Sequence, residues 1–205
     1  MDFNKDNLET LIDTICNSNN IKLADIPDID LYMEQLLSYL NPKLDSLGHS
    51  DKALTKTMIN NYSKAGVLPQ PRNKKYTKKH VISLILIYQL KNILSLNDIR
   101  NLFGPILNDI NDPTDDVLQL EKIFNVFSLL KNDQYGKLCH HFNDNLKLIQ
   151  AETTDISNEA NRNTANVFLL VLMLVAQANA SKVLAEKIID DYFTPPDEKH
   201  ETDQL

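Results

Sequence analysis

The sequence predicts a mainly α-helical fold, and three observations support that prediction. Only 4 of the 205 residues are glycine, which argues against a β-rich, turn-rich fold and favours helices joined by short loops. Apolar residues recur at the three- and four-residue spacing of one helix face along most of the chain. Clusters of Asn, Asp, Gly and Pro interrupt that pattern at a few points, and these clusters separate successive helices.

The first two helices are predicted on either side of a turn at Ile26-Pro27-Asp28. Residues 3–18 form a short amphipathic helix, and we assign residues 1–22 to this N-terminal helical segment. Asp28 or Asp30 caps the second helix. The apolar face of the second helix consists of Leu31, Met33, Leu36, Leu37 and Leu40.

The most basic part of the chain is predicted to form a helix, a loop and another helix. A third helix runs from Lys52 to Ala65, and Gly66 ends it from the position that favours a left-handed backbone. Residues 69–76, the basic loop, contain two prolines, and Thr77 caps a fourth helix, which a short fifth helix follows. Residues 23–108 thus have the order helix, turn, helix, basic loop, helix and short helix, which is typical of a winged helix-turn-helix module.

A stretch rich in Asn and Asp around Pro113 separates this module from a second domain. We expect helices at residues 115–131, 134–149 and 158–193, within a helical domain that spans residues 109–193. The tail, residues 194–205, is charged and is expected to be flexible. The predicted fold class is therefore mainly α, with a winged helix-turn-helix module followed by an all-helical C-terminal domain.

Positive charge is concentrated in one short window of an acidic chain. The net charge of the chain is −7, whereas residues 51–80 contain eight basic side chains and one acidic side chain. Residues 1–50 carry three basic and nine acidic side chains, and residues 101–205 carry eight and seventeen. Acidic flanks disfavour indiscriminate binding to polyanions, so the basic window is the predicted contact with nucleic acid.

The third predicted helix offers side chains that are suited to reading DNA. Lys56, Asn60 and Lys64 are four residues apart and share one helix face. Asparagine can form two hydrogen bonds with adenine, and lysine can reach guanine or a phosphate. Basic neighbours that contact phosphates fix the register of such a helix. The candidate DNA-binding residues are Lys56, Thr57, Asn60, Asn61, Lys64, Arg72, Lys74, Lys75 and Lys78.

Residues 57–69, with the sequence TMINNYSKAGVLP, are similar to the run T-I-R-Y-Y-E-x-x-G-L-L-x-P of the MerR family. Arg72 and the run Lys74-Lys75-Tyr76-Thr77 resemble the end of the wing in that family. The resemblance covers about residues 23–104. It implies that residues 52–65 form a recognition helix in the major groove and that the basic loop forms the wing.

The chain departs from the MerR pattern at three positions of this helix. Asn60 and Asn61 stand where the family has Arg and Tyr, and Ser63 stands where it has Glu. The basic loop is short and lacks the usual Gly-Tyr before its Arg. The base preference of the family therefore does not carry over to this chain. The whole chain resembles a family of uncharacterised bacterial proteins that joins such a module to a helical C-terminal half.

These features predict a sequence-specific, DNA-binding transcriptional regulator that binds double-stranded DNA and forms a homodimer through its C-terminal helices. The apolar run Val167–Ala176 is interpreted as a core or dimer-interface segment, and a pocket for an unidentified apolar effector is the other interpretation. At ten residues the run is about half of what a membrane-spanning helix needs. The first residues lack the apolar segment of a signal peptide, so a cytoplasmic location is expected.

A non-catalytic protein-interaction module is the alternative function, in which the basic face binds an acidic partner protein. No GxSxG, HExxH, P-loop or GxGxxG motif occurs, so neither enzymatic activity nor a cofactor is predicted. Cys139-His140-His141 is not predicted to bind a metal, because adjacent side chains on a helix point in different directions. Cys16 and Cys139 form no CxxC pair, and no disulfide is expected.

Overall fold

The computed structural model describes residues 8, 10–12, 14, 21–45, 53–107 and 119–195, and the fold is mainly helical. The chain forms two compact units. The larger unit comprises residues 19–128 and 182–205, and the smaller unit comprises residues 1–18 and 129–181. Each unit has its own hydrophobic core.

The elements of the larger unit begin with a 3-10 turn, which is followed by two short strands and several helices. The 3-10 turn is Leu23–Asp25, strand β1 is Leu31–Tyr32, helix α1 is Met33–Asp45 and helix α2 is Lys56–Lys64. Strand β2 is Lys75–Tyr76, helix α3 is Lys78–Leu90 and helix α4 is Leu96–Phe103. Two long helices, α5 at Leu120–Glu152 and α6 at Glu159–Tyr192, contribute residues to both units.

Helix α3 forms the centre of the larger core. All its residues from His80 to Tyr88 are buried, so this stretch is enclosed around its whole circumference, and all but His80 and Ser83 in it are hydrophobic. Leu36, Leu40 and Leu44 of α1 belong to the same core. Because these three residues are four apart, they lie along one side of α1. The core therefore supports the surface elements of this unit.

Strands β1 and β2 form a two-stranded antiparallel sheet in which Leu31 faces Tyr76 and Tyr32 faces Lys75. The prediction that Leu31 belongs to the second helix was wrong, because this residue pairs with β2. Helix α1 starts only at Met33. The Tyr32 backbone N–H donates to Oε1 of Gln35 at 2.9 Å, which is the reciprocal contact of a helix N-terminus.

Helix α2 starts at Lys56, so the prediction of a helix from Lys52 was wrong at its start. The side chain of Asn41 bonds both backbone polar groups of Leu54: Oδ1 accepts from the Leu54 N–H at 2.8 Å, and Nδ2 donates to the Leu54 carbonyl at 3.1 Å. These bonds hold Leu54 outside the helix. Lys52 itself lies outside the described residues.

The core of the smaller unit joins residues of α5 and α6. Phe142, Leu146 and Ile149 of α5 cluster with Leu170 of α6, and Leu8 and Ile12 of the N-terminal segment pack against them. Beside this core, the Thr153 hydroxyl donates to Oδ1 of Asn166 at 2.6 Å. This buried bond links the turn that follows α5 to the first part of α6.

Helix α5 is continuous, so the prediction of two helices at 115–131 and 134–149 was wrong. The expected break lacks a proline, and Lys137 forms an ion pair with Asp133 at 2.6 Å across one helical turn. Leu120, Phe124 and Ile189 belong to the larger core. The compact units therefore divide the chain differently from the predicted helical domain over residues 109–193.

The apolar face of α6, formed by Phe168, Leu169, Val171, Leu172 and Val175, is exposed, with Phe168 at 63% and Leu172 at 50%. The interpretation of this run as a core segment was therefore wrong for these side chains. By length and composition α6 could cross a membrane: its most apolar 18-residue window has a mean hydropathy of 1.9.

Cys139 on α5 is disulfide-bonded. This corrects the prediction that the chain contains no disulfide.

Candidate nucleic-acid interface

The predicted DNA-reading residues of α2 all lie on its solvent side. The opposite side of this helix carries Ile59 and Tyr62, which are buried in the larger core. The α2 face consists of the exposed residues Lys56, Thr57, Asn60, Asn61 and Lys64. Sequence spacing therefore predicted correctly which residues of this helix face solvent.

Both ends of α2 are capped. At the start, the Thr55 hydroxyl accepts a hydrogen bond from the Met58 N–H at 3.2 Å. At the end, Gly66 has a φ of 71°, as predicted for the left-handed cap. The Val67 N–H donates to the Tyr62 carbonyl at 2.9 Å and the Gly66 N–H to the Ser63 carbonyl at 3.3 Å, which together form a Schellman motif. The α2 face is therefore presented by a short helix with satisfied ends.

The basic loop contains a tight turn at Arg72–Lys75. Its two central residues, Asn73 and Lys74, have φ values of 51° and 62°, and the Lys75 N–H donates to the Arg72 carbonyl at 2.9 Å. Positive φ at both central positions is the pattern of a type I′ hairpin turn. The turn leaves Arg72, Asn73 and Lys74 exposed. Sequence reasoning missed Asn73, although Asn is a common first central residue of such turns.

The sheet and α3 anchor the C-terminal side of this loop. Lys75 Nζ lies 5.7 Å from the centre of the Tyr32 ring, across the strand pair. Tyr76 is buried, and its ring meets that of His80 edge-on at a centroid distance of 5.6 Å. Of the predicted contacts in the loop, Lys75 is thus half-buried and already engaged with an aromatic ring.

His80 connects the loop to the core. Its Nδ1 accepts from the Thr77 N–H at 3.1 Å and lies 2.8 Å from the Thr77 hydroxyl, and this capping box starts α3. Burial lowers the pKa of His80 below its usual value, and the backbone groups of Gln70 and Pro69 offset part of that shift. The imidazole is therefore held neutral beneath the basic loop at neutral pH.

Charge on this surface is positive and largely unpaired. Residues 53–80 contain seven Lys and Arg side chains and no Asp or Glu. Within the described part of the chain, no ion pair is formed by Lys56, Lys64, Arg72, Lys74 or Lys78. In the smaller unit, by contrast, Lys137 and Lys147 pair with neighbouring aspartates. The basic surface is thus available to an anionic partner.

The residues that the structure describes contain no group of three His, Cys, Asp or Glu side chains that is placed to hold a metal ion. His140 and His141 are exposed on α5, and the described residues therefore indicate no metal centre beside the basic surface.

Residues 21–128 match the family model described as Domain of unknown function (DUF1836). The match covers more than half of the 205 residues and includes every candidate DNA-binding residue. No curated protein and no solved structure matches the chain significantly. The family match ends at the residue where the larger unit gives way to the smaller one. The chain belongs to the DUF1836 family.

Proposed function

We propose that the protein is a sequence-specific, DNA-binding transcriptional regulator that uses a winged helix-turn-helix module of the MerR type. The observation that carries this proposal is the α2 face, on which exposed asparagines lie between unpaired lysines. Asn60 and Asn61 supply amide groups that can pair with base edges, while Lys56 and Lys64 supply charge at the two ends of the helix.

The dimensions of α2 suit the major groove. Lys56 and Lys64 are eight residues apart, which is about 12 Å along the helix axis. The major groove of B-DNA is also about 12 Å wide and admits a helix. In the proposed complex, α2 lies in the major groove, and Asn60 and Asn61 face the bases. The buried side of α2 stays packed against the larger core.

The basic loop supplies the proposed phosphate contacts. Arg72 and Lys74 project from a turn whose backbone is fixed by the Arg72–Lys75 hydrogen bond. Lys78 lies in the first turn of α3, where the helix dipole favours an anion. A phosphate beside Lys78 would therefore interact with both the ammonium group and the N-terminus of the helix.

A selection experiment tests this function. A pool of random double-stranded DNA is bound at several salt concentrations, and the retained fraction is sequenced. We expect an enriched motif and an affinity that falls steeply with salt, because bound counterions are released when lysines contact phosphates. Lys56→Ala combined with Lys74→Ala should lower the affinity at least tenfold.

The matched control is Lys137→Ala combined with Lys147→Ala, which removes the same charge from exposed sites in the smaller unit. This control should bind as the unaltered protein does. Absence of binding at low salt, or equal losses in the two double variants, would contradict the proposal. Capture of an acidic protein by the same basic surface without any DNA binding would instead establish the protein-interaction function.

We also propose that the regulator is a homodimer joined through the apolar face of α6. Monomeric proteins rarely leave a contiguous apolar patch of this kind in water. No charged residue occurs between Arg162 and Lys182, so a second copy can cover this face without burying a charge. Two copies would then present two α2 helices to two half-sites on DNA.

Sedimentation equilibrium at tens of micromolar tests the dimer. The full chain should sediment as a dimer, and Leu172→Glu should shift it to the monomer, because a carboxylate would be buried at the interface. Ile29→Glu places the same charge at an exposed apolar site of the larger unit and should leave the dimer intact. A monomeric unaltered protein would contradict this proposal.

A regulator must reach chromosomal DNA, so we propose a cytoplasmic location. Cell fractionation tests this placement against insertion of α6 in a membrane, for which the protein would be found in the membrane fraction. A disulfide at Cys139 is unusual in a reducing compartment. Thiol labelling in freshly lysed cells is therefore an independent test, because a disulfide that persists in the cell would contradict a cytoplasmic location.

A further inference from the structure

A concave pocket of about 200 Å³ lies between three helices of the larger unit. Leu86 and Leu90 line it from α3, Leu102 and Phe103 from α4, and Leu120 and Phe127 from α5. Of these residues, Leu86, Phe103 and Leu120 are buried, whereas Leu90, Leu102 and Phe127 are only partly buried. All the residues that line it are apolar.

The size and chemistry of the pocket define what it can hold. A cavity of roughly 150 Å³ lined by aliphatic and aromatic side chains stays dry and takes up benzene, so this pocket has room for a single substituted ring. It is too small for a helix of a second copy, whose diameter is about 10 Å. A charged or strongly polar ligand is disfavoured, because the lining side chains offer it no hydrogen-bond partner.

We propose that this pocket binds a small, uncharged, apolar molecule with one ring. Binding would cover the exposed edges of Leu90, Leu102 and Phe127 and would displace water from apolar walls, which is the main source of affinity in such sites. This proposal does not depend on DNA binding.

The position of α4 suggests what such a ligand would regulate. Leu102 and Phe103 of α4 line the pocket, and Arg100 of the same helix lies against the end of α2: its Cδ is 3.7 Å from the point that a Cβ on Gly66 would occupy. A ligand that moves α4 therefore alters the support of α2. This second step, which rests on the proposed function, makes the ligand an effector of DNA binding.

Ligand-observed fluorine NMR with 4-fluorotoluene tests the pocket in the full-length protein. The ligand signal should broaden with the unaltered protein, with a dissociation constant in the millimolar range or below. Leu102→Trp fills the pocket and should weaken binding at least tenfold. Leu96→Trp makes the same change at an exposed site of α4 and should leave binding unchanged.

Ile123→Phe is a second pocket-filling variant in case Leu102→Trp does not fold, as circular dichroism would reveal. No broadening with the unaltered protein, or full binding by a folded pocket-filling variant, would overturn the proposed site. For the regulatory step, saturating 4-fluorotoluene should change DNA affinity at least threefold in the unaltered protein and not in the filled variant. An unchanged DNA affinity at saturation would overturn that step alone.

Discussion

The larger and the smaller unit differ in the kind of surface that they leave without a partner. On the larger unit, the α2 face and the basic loop carry unpaired positive charge over a well-packed core. On the smaller unit, the exposed Lys137 and Lys147 are paired with aspartates, and the surface without a partner is instead the apolar face of α6. Unpaired charge favours a polyanion, whereas exposed apolar side chains favour another protein surface. The difference therefore supports the proposal that the larger unit contacts DNA and the smaller unit self-associates.

The largest expected difference between the units is in stability. Leu36→Ala removes a fully buried side chain from the larger core and should lower the free energy of unfolding by about 2–5 kcal/mol. Leu172→Ala removes a side chain of the same type from the exposed face of α6 and should change that free energy by no more than about 0.5 kcal/mol in the monomer.

Urea unfolding at low protein concentration measures both effects, because dilution removes the contribution of a dimer. A similar loss in the two variants at that concentration would show that Leu172 is buried within one chain. The exposed apolar face would then no longer distinguish the smaller unit.

The next largest expected effect is the loss of binding free energy when a base contact is removed. Asn60→Ala should cost about 1–3 kcal/mol of binding free energy on the selected DNA site, because a bidentate base contact is lost. Its effect on random DNA should be small, since non-specific binding depends on the lysines. Titrations monitored by fluorescence anisotropy measure both, with Asn125→Ala at an exposed site of α5 as control. Equal losses on selected and random DNA would refute a base contact.

Replacing either of two glycines by alanine should change the stability of the protein, in opposite directions for the two positions. Gly66 has a φ of 71°, so Gly66→Ala should destabilise the larger unit by about 1–2 kcal/mol. Gly136 lies within α5, and apart from the adjacent backbone of its own helix nothing comes within 4 Å of an added Cβ, so Gly136→Ala should stabilise the protein by about 0.5–1 kcal/mol. Thermal unfolding gives both signs, and stabilisation by Gly66→Ala would contradict the left-handed cap.

The smallest expected effect is the contribution of His80 to the pH dependence of folding stability. The pKa of His80 is lowered by burial, so the unfolded chain binds a proton more readily than the folded one. The contribution of this residue to stability is therefore fully present above a pH of about 6.5 and is lost as the pH falls below that value.

His80→Gln keeps a side chain that can complete the capping box but does not titrate. Its unfolding free energy should fall less between pH 7 and pH 5.5 than that of the unaltered protein. If the unfolding free energies of the two proteins fall equally over this pH range, the protonation of His80 does not contribute to the pH dependence of stability.

Local signals in the sequence predicted most of what positions the interface. Gly66, Thr77 and the polar residues of α2 were identified because caps and face periodicity depend on neighbours within one helical turn. Strand β1 was missed, because two residues carry no alternating pattern and pair only with the distant β2. The true start of α2 was missed for a similar reason, since Asn41 holds Leu54 through contacts between residues 13 apart.

Which side chains of α6 are exposed to solvent could not be predicted from the sequence of this helix alone. An apolar run of ten residues is equally compatible with a core, an interface or a pocket, and only the packing of neighbouring helices decides among them. In the structure, Leu170 faces the smaller core, while Phe168 and Leu172 face solvent.

Hydrogen exchange measured by mass spectrometry, with and without the selected DNA, shows directly whether α2 and the basic loop bind DNA. DNA should slow exchange in peptides that cover α2 and the basic loop. Exchange in peptides from residues 129–181 should be unchanged by DNA, because in the proposed dimer their surface contacts a second copy with or without DNA. Protection in residues 129–181 alone, or no protection in residues 53–80 when DNA is bound, would contradict the assignment of α2 and the basic loop as the DNA-binding surface.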